Sequence, residues 1–183
     1  MAKIGSLEVR TIGTGANRVK VVKFPGHEFP IEHFLPENLE RIEYLSTRVR
    51  LVRSKPSGSQ FFVVKKARGY HDRLGTALTP ISEARLAMAL NQLNLHKTTK
   101  FEEPLAVIMK PNGRRQVVYR KIDFNSCIPI HGALKRKLLV LGIRPIDGQA
   151  IRDMAGNTHI IDLEYWQAAQ ALKRKLKLKF IKE

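Results

Sequence analysis

At 183 residues the chain has room for one domain, or one domain with a small lobe attached, and its 43% apolar content excludes global disorder. Lys and Arg number 33 against 16 Asp and Glu, a net charge of +17. Self-repulsion on that scale is relieved by a polyanion, most commonly nucleic acid or a ribonucleoprotein, although an acidic protein or an anionic membrane surface would serve. The single cysteine, Cys127, excludes an intramolecular disulfide and is expected to be a small buried side chain. No run approaches the ~20 apolar residues of a membrane span, and Met1-Ala2-Lys3-Ile4-Gly5 opens no apolar leader, so a soluble, cytoplasmic protein is expected.

Residues 6–24 read as a hairpin turning at Gly13-Thr14-Gly15-Ala16-Asn17. Pro25, Pro30 and Pro36 mark a loop, and Pro36 followed by acids predicts a short helix from Pro36 to Leu45. A second hairpin has strands at Arg48–Arg53 and Gln60–Ala67, joined through Lys55-Pro56-Ser57-Gly58-Ser59. After an irregular connection, Ile81 to about Leu95 carries helical spacing, with Thr79 or Ser82 as the cap. Asn112-Gly113 between two apolar runs is the clearest hairpin signal, pairing Leu105–Met109 with Gln116–Tyr119. Ile130–Gly142 then reads as a helix capped by Gly142, Met154–Ile161 as a small hairpin, and Leu163 to the end as one helix.

Several basic clusters stand out as candidate phosphate contacts. Arg48, Arg50 and Arg53 alternate along a strand and are expected on one face. Arg114 and Arg115 sit at a hairpin tip, Lys135, Arg136 and Lys137 ride a helix, and Lys173, Arg174 and Lys175 belong to a basic amphipathic C-terminal helix. The histidines are less informative. His27, Glu28, Glu32 and His33 lack metal-ligand spacing and are expected in a solvated loop, His71-Asp72 and His96 have no partner spacing, and His131 is expected to open a helix.

Three separated fragments carry a more specific pattern. Phe62-Val63-Val64-Lys65 ends a strand in a lysine, Glu83 lies in the first turn of the helix after it, and Asp147 and Ile160-Ile161-Asp162-Leu163-Glu164 follow further on. In that order they resemble the protein-kinase-like fold in shortened form, over roughly residues 48–166. The resemblance implies ATP and Mg²⁺ as cofactors. Lys65 would neutralise the phosphates, Glu83 would orient Lys65, Asp162 would hold the metal, and Asp147 would accept or position the substrate hydroxyl. The pattern departs from the family at Arg152, where a metal-binding asparagine belongs, and at Leu163-Glu164 after the metal aspartate. No glycine-rich loop directly precedes Lys65.

The expected fold is therefore α+β: an antiparallel sheet with one packed helix, followed by a small, truncated helical lobe. The expected organisation is a β-rich lobe over 1–123 holding one long helix at about 81–95, then a small helical lobe over 124–183 with the basic C-terminal helix. The function implied is an ATP-binding kinase-like phosphotransferase, active or catalytically degenerate, with an anionic partner or substrate. The alternative is a non-enzymatic basic module that binds nucleic acid or a ribonucleoprotein.

Overall fold

A computed structural model describes residues 6–67, 78–146, 149–164 and 166–179. The first five strands are β1 (Glu8–Ile12), β2 (Val19–Lys23), β3 (Leu39–Tyr44), β4 (Val49–Ser54) and β5 (Phe61–Lys66). Helix α1 (Pro80–Gln92) precedes β6 (Thr99–Phe101), β7 (Ala106–Met109), β8 (Arg115–Arg120) and β9 (Phe124–Ile128). Helix α2 (Gly132–Val140) leads to β10 (Ile143–Arg144), β11 (Gln149–Asp153), β12 (Thr158–Ile161), β13 (Gln167–Ala168) and helix α3 (Gln170–Leu176). Two compact units result: residues 1–67 with 104–121, and residues 68–103 with 122–183.

The first unit is built on a seven-stranded antiparallel sheet in the order β1-β2-β7-β8-β5-β4-β3. Its register puts Val21, Ile108, Val118, Val64, Phe62 and Val52 on one face, where all six are buried. The three-proline segment covers part of that face. It is not a solvated loop: Phe29, Ile31, Phe34 and Leu35 are buried against the sheet, and Phe29 meets Phe62 edge-on at 5.2 Å. His33 follows the phenylalanines inward, with Nδ1 2.9 Å from the Ser54 hydroxyl.

The opposite face is apolar too. Val22, Val107 and Val117 are successive register partners and all are buried, so the sheet's centre is covered on both sides. That explains the unbroken apolar runs of β7 and β5, since a one-sided strand would alternate. The helix expected over 36–45 is absent. A single 3-10 turn, Pro36–Asn38, is followed by β3 at the sheet edge. Pairing with β4 overrides the weak helix signal, and the charges of Glu40, Arg41 and Glu43 protect the edge from further pairing.

The second unit mixes helices with strands instead of forming a helical lobe. A four-stranded sheet runs β6-β12-β11-β9, with β6 and β12 parallel, and β10 pairs with β13. Leu86 and Leu90 of α1, Leu138 of α2, and Phe101, Ile160, Leu163 and Trp166 share its core. Thr79 caps α1, its hydroxyl accepting from the Ser82 N–H at 3.3 Å. Gly142 follows α2 at φ +73, and a Cβ there would meet the Ala169 Cβ at 2.8 Å, so only glycine fits. The long C-terminal helix is also absent. α3 stops at Leu176, Lys177 turns left-handed, and the Lys179 N–H donates to the Ser82 hydroxyl beside the start of α1.

Candidate functional residues and their placement

Lys65 occupies an unusual row. Across five strands the register partners are Val22, Val107, Val117, Lys65 and Val49, so one ammonium interrupts a line of valines. Lys65 is half-buried there. Its neighbour Lys66 points to the other face and is exposed.

Glu83 and Asp162 both belong to the second unit. Glu83 lies in the first turn of α1 and is only 3% exposed, although a helix N-terminus favours a carboxylate without burial. Asp162 directly follows buried Ile160 and half-buried Ile161, with a left-handed backbone at φ +64. Aspartate is among the non-glycine residues that adopt this conformation most readily as single residues. Leu163 and Glu164 after it are buried, and the Glu164 carbonyl accepts from the Leu78 N–H. Lys65, Glu83, Asp162 and Glu164 each have an interaction partner.

Asp147, with His71, Asp72 and Tyr165, lies outside the described residues. The strands around the 145–148 connection are nevertheless fixed. Arg144, the last residue of β10, pairs with Gln167, and Gln149, the first of β11, pairs with Ile161.

Among the described residues no group of three His, Cys, Asp or Glu side chains is arranged to hold a metal. Mg²⁺ requires less, since one or two carboxylates suffice when the nucleotide's phosphates supply the remaining oxygens.

The basic clusters separate. Arg50 shares the core face with Val52 and Ser54, whereas Arg53 projects from the opposite face and is held by Glu40 through contacts of 3.0 and 2.7 Å. The one-face expectation for Arg48, Arg50 and Arg53 fails because positions 50 and 53 have opposite parity on a strand. Arg114 is exposed before β8 and Arg115 begins that strand. Lys135, Arg136 and Lys137 are exposed on α2, where Lys137 Nζ donates to the Leu95 carbonyl at 2.7 Å. Lys173, Arg174 and Lys175 sit on the short α3.

Sequence reading missed one cluster altogether. His159 places Nδ1 2.6 Å from Glu102 Oε1 and Nε2 2.9 Å from Asp153 Oδ2. Both ring nitrogens face carboxylate oxygens, so the doubly protonated imidazolium satisfies both. The Glu102 hydrogen bond, then that of Asp153, raises the His159 pKa against the opposing effect of burial. Asp153 is held below the usual carboxylate range, chiefly by His159 and then by Asn157. The only advance signal was Asp153 and His159 flanking the Ala155-Gly156-Asn157 turn; Glu102 arrives through the parallel pairing of β6.

No protein-family model, curated protein or solved structure matches the chain. Among the described residues no helix is long and apolar enough to cross a membrane.

Proposed function

We propose that the chain is an ATP-binding phosphotransferase of kinase-like type with a reduced apparatus. The observation that carries this reading is a carboxylate, Asp162, held half-buried directly after β12 in the same unit as Glu83, which is buried in the first turn of α1. Phosphoryl transfer needs one carboxylate for the nucleophile's proton and one for the metal that offsets phosphate charge.

In this reading Asp162 orients the nucleotide's Mg²⁺ and Asp147 accepts the substrate hydroxyl's proton. Glu83 adds a second buried carboxylate at the start of α1 in the same unit. Bound Mg²⁺ would supply charge neutralisation between phosphate oxygens. Arg152, exposed on β11, cannot replace a metal-binding asparagine, so a second protein-bound metal is not part of the proposal.

Thermal unfolding with and without Mg-ATP tests this. At a hundredfold excess over Kd, ligand binding stabilises by about 2.7 kcal/mol, or roughly 5–10 °C for a chain of this size. The shift should appear in the wild type and disappear in Asp162→Asn. No shift with any nucleotide overturns the reading. The net charge of +17 favours the second reading, a non-enzymatic nucleic-acid or ribonucleoprotein-binding module. That reading predicts salt-dependent RNA retention with no nucleotide effect.

A further inference from the structure

Among the described residues, one end of the sheet's core face gathers four cations and an exposed aromatic ring. Arg41 and Tyr44 come from β3, Arg48 directly precedes β4, Arg50 lies on β4, and Lys66 ends β5. Parity and register put all five on one side, and the contacts agree. Arg50 reaches across β5 to Gln116 of β8, with an N–O distance of 3.1 Å. The Arg41 guanidinium lies 4.9 Å from the Tyr44 ring centroid and donates to the Tyr44 hydroxyl at 2.9 Å. Arg48 donates to the Lys66 carbonyl at 2.7 Å.

The strand's acids are elsewhere. Glu40 is spent on Arg53 from the opposite face, and Glu43 pairs in register with Leu51, which also faces away. Arg50 is half-buried, its Nε has no hydrogen-bond partner, and burial depresses its pKa; Tyr44 opposes that shift and nearby Arg41 adds to it more weakly. An anion laid over this end of the sheet would relieve that repulsion. Tyr44, 58% exposed, offers a ring face where a base can stack.

We propose that Arg41, Tyr44, Arg48, Arg50 and Lys66 form a binding surface for single-stranded nucleic acid. Three adjacent strands about 4.8 Å apart set the cations over roughly 10 Å, enough for a short run of nucleotides crossing the strands. Cations along a backbone track, with an aromatic platform for bases, are what unpaired strands require. A duplex hides its bases from such a platform, which is why the single strand is the occupant. The proposal does not depend on the phosphotransferase reading, because Lys65 lies on the other face and no ATP is involved.

Fluorescence anisotropy with a labelled 15-nucleotide oligouridine and the full chain tests it. Wild-type affinity should fall with salt at a log–log slope of about −2 to −3, from three or four phosphate contacts. Arg41→Ala should reduce the magnitude of that slope by about 0.7, and Tyr44→Ala should weaken binding roughly 5- to 100-fold. Both residues are exposed, so folding is preserved; circular dichroism confirms it. Arg53→Ala, on the opposite face, should leave affinity within about twofold, and a 15-base-pair duplex should bind more weakly than the single strand. Equal losses at Arg53 and Arg41, unchanged affinity in Tyr44→Ala, or displacement by polyglutamate as readily as by unlabelled oligouridine would each overturn the proposal.

Discussion

His159 is the residue whose chemistry is most fully determined. Its two carboxylate partners bind the charged ring, so its pKa in the folded protein stands above the ordinary value of 6.5. The stabilisation is complete below pH 6.5, where the unfolded chain is protonated as well. It is lost as pH rises through the elevated folded value. Urea midpoints for wild type and His159→Gln should therefore differ more at pH 6 than at pH 9, and a difference independent of pH would refute the charged clamp. Local sequence could not reveal this cluster, because Glu102 and His159 are 57 positions apart and meet only through β6–β12 pairing. Cys127 was misread for a similar reason. Its intrinsic preference is burial, but β9 is an edge strand and the thiol is exposed. Lys65, by contrast, was visible as the end of an apolar strand, though the valine row around it required the register.

Elements were legible where the signal was strong and local. The three hairpins and α1 follow from turn residues, apolar alternation and a capped helical period, and all four form. Thr79→Ala should cost about 1 kcal/mol in unfolding free energy, because it removes the oxygen satisfying the Ser82 N–H at the start of α1. Gly142→Ala should cost about 2 kcal/mol or more, combining the left-handed backbone with the Ala169 approach. Denaturant titration checks both, and an unchanged midpoint for Gly142→Ala would contradict the tight turn after α2. The C-terminal element failed for a reason present in the residues. Up to Leu176 the leucines follow a helical period, but Lys175-Leu176-Lys177-Leu178-Lys179 alternates with period two. Leu172, Leu176 and Leu178 all pack on the second unit's core, which an uninterrupted helix would not allow without rotating Leu178 away. A freestanding amphipathic helix for membranes or acidic proteins is therefore not formed.

At the scale of the whole molecule, charge and topology support different parts of the account. The excess of cations is a property of the entire chain, and the described basic side chains are spread over both units. The phosphotransferase reading rests on Asp162 and Glu83 of the second unit. The β4–β5 hairpin that carries Arg50 follows from its turn residues, but the β3 edge that adds Arg41 and Tyr44 does not, because the residues there predict a helix over 36–45. What the sequence did show was the order of a lysine strand, an acidic helix start and two later aspartates.

The central claim is that Asp162 engages a metal carried by ATP, and calorimetric titration of ATP with and without Mg²⁺ tests it most directly. The wild type should bind ATP more tightly with Mg²⁺, and Asp162→Asn should lose that metal-dependent gain while remaining folded. Wild-type binding that is indifferent to Mg²⁺, or an Asp162→Asn protein with the full metal-dependent gain, would contradict the account.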